Sequence, residues 1–95
     1  MIKEYENMFN EDIEILNMKA IISIYNNRFE EAESYLKESL MLDINNYNTI
    51  FNIAYLKECI GDIDEAIRFY KRIILNCEDE TILYDAQERI NCLKQ

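Results

Sequence analysis

Phe51-Asn52-Ile53-Ala54-Tyr55-Leu56-Lys57-Glu58-Cys59-Ile60-Gly61-Asp62-Ile63-Asp64-Glu65-Ala66-Ile67-Arg68-Phe69-Tyr70 is the stretch from which the fold is read. A large apolar residue followed by a small one (Ile53, Ala54) lies before the dipeptide Gly61-Asp62. The glycine suits a chain reversal because it enters left-handed backbone without steric cost. Asp62 stands three residues before Glu65, the spacing of a helix N-terminal capping box. After it, Ile63, Ala66, Tyr70 and Ile74 fall at intervals of three and four, one apolar face of a helix. The stretch therefore reads as two helices folded back on each other.

Shifting the chain by 34 residues against itself repeats this pattern. Leu16 falls on Ile50, Ala20 on Ala54, Ile22 on Leu56 and Phe29 on Ile63. Glu31 falls on Glu65, Ala32 on Ala66, Leu36 on Tyr70 and Leu40 on Ile74. Two unrelated amphipathic helices share a period, but not small residues in register. The pattern predicts five helices at about Glu11–Asn26, Arg28–Leu42, Tyr47–Ile60, Ile63–Asn76 and Thr81–Leu93. Asn27 is expected to cap the second and Asp62 the fourth. The segments Asp43–Asn46 and Cys77–Glu80 separate the repeats and supply the next caps. Met1 to Asn10 is read as either a lead-in or an extra turn, with Met8 and Phe9 offering apolar bulk.

Composition narrows the function. The chain has 95 residues, no proline, one glycine and no apolar run long enough to span a bilayer. Nothing at its start has the order of a secretion signal, so a cytoplasmic location is expected. Its net charge of −9 repels phosphate backbones and anionic lipid, which argues against nucleic acid and membrane as partners. With no histidine, no glycine-rich phosphate loop and no Ser or Cys beside a plausible base, catalysis has no foothold. Cys59, Cys77 and Cys92 form no Cys-x-x-Cys pair, so no metal and no cofactor is expected; buried or half-buried free thiols are the plain reading. Acidic clusters at Glu11-Asp12 and Glu78-Asp79-Glu80 read as helix starts, where carboxylates favour the dipole.

These residues resemble the tetratricopeptide repeat (TPR) family, best over Phe51–Tyr70 and more weakly in the first repeat, where Lys19 replaces an apolar residue. The usual proline after each second helix is replaced by Ile44 and Glu78. The resemblance implies an all-α, α-α superhelix: TPR-like helical hairpin repeats over about 13–46 and 47–80, and a C-terminal capping helix over about 81–95. Residues 1–95 then form one domain. Gln87 and Glu88, aligned with Ile53 and Ala54, give the last helix a polar outer face, which suits the end of an array.

By the same resemblance the first helix of each repeat lines a concave face that takes a protein or peptide. Carried over by position, this picks out Asn17, Ile21, Ile24 and Tyr25, then Phe51, Asn52, Tyr55, Glu58 and Cys59. Asp85, Arg89 and Cys92 follow on the closing helix. Ile21, Phe51 and Tyr55 could equally pack against neighbouring helices. Asn17 and Asn52 are the stronger candidates, since amides on a packed face need partners. The cationic clamp with which some members hold a C-terminal carboxylate is absent: Asn52 matches it, but Asn17, Ile21, Ile82 and Ala86 occupy the other positions. The expected function is a non-catalytic protein-interaction scaffold. The alternatives are a homo-oligomerisation module, or an accessory domain of a larger bacterial enzyme such as a glycosyltransferase.

Overall fold

A computed structural model describes the backbone of residues 2–94 and the side chains of residues 11–94. The described residues form five α-helices: α1 (Ile2–Tyr25), α2 (Phe29–Leu42), α3 (Tyr47–Cys59), α4 (Ile63–Asn76) and α5 (Glu80–Leu93). Helices α1 and α2 form one hairpin, α3 and α4 a second, and α5 closes the stack. The protein measures 48 × 30 × 17 Å, and its smallest dimension is about two helix diameters.

Both hairpins turn by the same device. Asn27 (φ 61°) and Gly61 (φ 89°) are left-handed residues just beyond α1 and α3. After α1, the Arg28 N–H bonds the Ser23 carbonyl at 2.8 Å and the Asn27 N–H bonds that of Ile24 at 3.0 Å. After α3, Asp62 bonds Lys57 at 2.8 Å and Gly61 bonds Glu58 at 3.0 Å. These paired bonds are the Schellman closure of a helix end. Asn27 is thus the counterpart of Gly61 under the 34-residue shift, and it ends α1 instead of capping α2. Arg28 takes the N-cap position of α2 without a side-chain bond. The remaining described helix starts carry side-chain caps: Asn46 accepts from Thr49 N–H, Asp62 from Glu65 N–H, and Asp79 from Thr81 and Ile82 N–H.

The start of α1 departs from expectation. The helix begins at Ile2, so Glu11 and Asp12 lie in its middle and cannot act on its N-terminal dipole. Whatever Met8 and Phe9 bury lies outside the described side chains.

Two apolar clusters hold the stack, one at each junction. The first joins Ala20 and Ile24 of α1, Ala32 and Leu36 of α2, and Ile53 and Leu56 of α3. The second joins Ile50 and Ala54 of α3 to Ala66, Tyr70 and Ile73 of α4, and to Ala86 and Ile90 of α5. Helix α3 thus faces both ways, three or four residues apart on its surface. Ala20, Ala32, Ala54, Ala66 and Ala86 are all fully buried. A methyl is what the space between the helix backbones admits, and added methylenes there cost about 1–3 kcal/mol. Gln87 and Glu88 are exposed on α5, on the side where the stack ends. Of the three free thiols only Cys77 is buried; Cys59 and Cys92 are exposed, contrary to the expectation of buried or half-buried thiols.

Candidate functional site

The main groove runs between α1 and α3, the first helices of the two hairpins. It encloses about 590 Å³ and is lined by Ile13, Glu14, Asn17, Met18, Ile21, Asn46, Asn48, Phe51 and Asn52. Its floor is a polar chain that crosses three helices. Asn17 Nδ2 donates to the Ile13 carbonyl at 3.0 Å and to Thr49 Oγ1 at 2.9 Å. Asn17 Oδ1 accepts from Asn52 Nδ2 at 2.9 Å. Thr49 Oγ1 donates to the capping Asn46 Oδ1 at 3.1 Å. Because the single Thr49 proton is spent there, the 2.8 Å contact with Ser39 Oγ has serine as the donor. Thr49 and Ser39 are fully buried and Asn17 is 8% exposed. Buried polar groups in such a chain are costly to leave unpaired, so the chain fixes the register of α1 and α2 against α3.

The expected face residues therefore separate into distinct roles. Asn17 spends its amide inside the protein, and Asn52 spends one donor on Asn17, leaving further donor and acceptor capacity in the groove. Ile21 and Phe51 line the groove, and Phe51 also meets the Tyr70 ring edge-on at 5.2 Å. Ile24 is 4% exposed, a core residue with no surface for a partner; the carry-over by position placed it one side too far outward. Tyr25 is exposed. Tyr55 sits half-buried against the first junction with Cys59 beside it. Nearby Cys59, then burial, then Tyr25 push the Tyr55 phenol above its usual range. Partial shielding and, second, the Glu58 carboxylate raise the Cys59 thiol, so it stays a poor nucleophile near neutral pH.

Arg89 is engaged within the protein. Its Nε lies 3.1 Å from Glu58 Oε1, and its Nη2 lies 2.7 and 3.0 Å from Oε1 and Oε2. The Tyr70 hydroxyl donates to Glu58 Oε2 at 3.3 Å. The Glu58 side chain is only 7% exposed, so this fork ties α5 to α3 and α4 around a nearly buried carboxylate. The hydrogen bonds it donates to Glu58 hold the guanidinium charged still more firmly than usual. Burial, then the Glu58 charge, drives the Tyr70 phenol far above its ordinary value. Asp85 and Cys92 are exposed on α5 and do not line the groove.

Sequence reasoning missed Ile13, Glu14, Met18, Asn46 and Asn48 as groove residues, and it missed the Ser39–Thr49 link. One signal was available: Ser39 falls three residues after Leu36 on the apolar face of α2, where a hydroxyl needs a partner from another helix.

These features define an all-α superhelix of antiparallel hairpins with a groove between its first helices. The profile of the Coatomer epsilon subunit family matches residues 1–90, and the chain belongs to that family. The tetratricopeptide resemblance agrees with this at the level of all-helical architecture, while the matched family carries its own name. No curated protein and no solved structure gave a match. No helix of the described residues is long and apolar enough to cross a membrane.

Proposed function

We propose that this chain is a non-catalytic interaction subunit whose α1–α3 groove holds a segment of another protein. The observation that carries the reading is the groove itself: apolar walls from Met18, Ile21 and Phe51 above a floor of amides already fixed by the protein. A preordered floor loses little freedom when a partner docks, and half-used amides such as Asn52 suit a partner's backbone. The description of the matched family as a coatomer subunit supports the same reading, since a subunit works through contacts with other chains. It favours a scaffold over an accessory domain of an enzyme. We place the protein in the cytoplasm, a reading the three free thiols support.

The test is affinity capture from the source cell with the wild type, Ile21→Arg and Asn48→Arg. Both positions line the groove, and neither side chain belongs to the described polar network. Circular dichroism confirms that each variant folds. The proposal expects the captured partners to fall away together in both variants. Recovery of the same partners at the same yield overturns the groove assignment.

A further inference from the structure

A single charged side chain stands in the α1–α3 groove. Of the nine described residues that line it, only Glu14 is charged, and none is basic. Glu14 is exposed, and so is Glu11, of the same sign, one turn before it on α1. The described cations of α1 and α3 are engaged elsewhere. Lys19 lies over the Tyr35 ring of α2, and Lys57 lines a separate hollow with Leu36 and Phe69. On α5, Arg89 is held by Glu58. In a chain of net charge −9, such a groove attracts a cation from outside and repels an anion.

The helix register says where that cation lies. Helices α1 and α3 run the same way, each the first arm of a hairpin. Asn17 bonds both Thr49 and Asn52, so it stands at a level between them. Glu14 is then level with Asn48, and Met18, one turn on, with Asn52. The two levels are four residues apart, about 6 Å along the helices. In an extended chain, side chains on one side recur every second residue, at about 6.7 Å.

We infer, resting on the groove proposed above, that its occupant is an extended segment of a partner protein with Lys or Arg two residues from an apolar side chain. The cation meets Glu14 at the first level, and the apolar side chain enters between Met18, Ile21 and Phe51 at the second. Asn48, with the donor and acceptor that Asn52 does not spend on Asn17, faces the backbone of the segment. An extended backbone offers groups to these amides, whereas a helix spends its own internally.

Selection from a random dodecapeptide library displayed on phage tests this, with the wild type, Ile21→Arg and Glu14→Lys each as bait. Peptides kept by the wild type and lost by Ile21→Arg are those bound in the groove. They should carry Lys or Arg two residues from an aliphatic or aromatic side chain. With Glu14→Lys as bait, the same position should turn to Asp or Glu. Fluorescein-labelled synthetic copies of the wild-type peptides, titrated by anisotropy, should bind Glu14→Gln about threefold and Glu14→Lys about tenfold more weakly than wild type. Both variants change an exposed side chain and should keep the wild-type helical spectrum. Glu88→Lys makes the same charge change on the exposed face of α5 and should bind as the wild type does. Equal weakening there would put net charge in place of Glu14 and overturn the inference. Groove-bound peptides without a basic preference, or indifferent to Glu14→Lys, overturn it too and leave the groove standing. So does an apolar residue three or four positions from the basic one, the spacing of a helix. If no peptide is kept by the wild type and lost by Ile21→Arg, the groove itself falls and its basic occupant with it.

Discussion

Replacing Thr49 by valine keeps the shape of a fully buried side chain and removes one oxygen. That oxygen accepts from Asn17 Nδ2 and Ser39 Oγ and donates to Asn46 Oδ1. Without it the serine hydroxyl and one Asn17 N–H are left in a dry junction. Each orphaned buried donor costs about 1–3 kcal/mol. Ser39 can recover part of this by turning its hydroxyl to the carbonyl one turn back along α2. Asn46 keeps its bond to the Thr49 backbone N–H and still caps α3. The expected loss is therefore about 2–3 kcal/mol, a fall of about 10–15 °C in melting midpoint for a chain of this length. Thermal unfolding followed by circular dichroism reads it directly. Thr49→Ser keeps the oxygen and should lose only about 1 kcal/mol, for the missing methyl. Adding Ser39→Ala to Thr49→Val removes one stranded donor and should recover part of the loss. A Thr49→Val midpoint within about 3 °C of wild type would refute the claim that this chain of hydrogen bonds locks the hairpins together.

Ala66→Leu forces a larger side chain between α4 and its neighbours and should cost about 1–3 kcal/mol by denaturant titration, whereas the same exchange at exposed Glu88 should cost little. Gly61→Ala meets no atom within 4 Å, so its expected loss of about 1–2 kcal/mol comes from left-handed backbone alone and is measured the same way. Arg89→Ala leaves the Glu58 carboxylate nearly buried with only the Tyr70 hydroxyl in reach; discounted for the partial exposure of Arg89, the loss should be about 2 kcal/mol, and a double-mutant cycle with Glu58→Gln isolates the pair. Tyr70 has a phenol raised above its usual value of 10.0. Its stabilising contribution is complete below pH 10, where folded and unfolded chains both keep the proton, and is lost above it as only the unfolded chain ionises. The melting midpoint should fall as pH rises past about 10, and Tyr70→Phe should flatten that fall.

The helical hairpins were legible because they depend on local chemistry. The spacing of Ala66, Tyr70 and Ile74, the Asp62 cap and the Gly61 turn all act within a few residues, and α4 spans Ile63–Asn76 as read. The small residues were legible too, because Ala32 and Ala66 keep their register across the repeat. Asn27 was misread because an asparagine before a helix serves equally as an N-cap or as the left-handed end of the helix before it. Only the alignment with Gly61 separates the two. Arg89 and Asn17 read as partner-facing because sequence spacing places a residue on a face without showing what stands opposite. Glu58 and Arg89 lie 31 positions apart, and no local pattern joins them. Lys19 over the Tyr35 ring at 5.8 Å is a similar case: a charge on an apolar position explained only by a neighbouring helix.

The most direct test concerns α1 and α3, since the groove exists only if they lie side by side. Nuclear Overhauser spectra should show the Asn17 side-chain amide protons in contact with the Thr49 methyl group and slow to exchange with water. An Asn17 amide that exchanges freely and shows no such cross-peak would contradict the stacked arrangement and the groove with it.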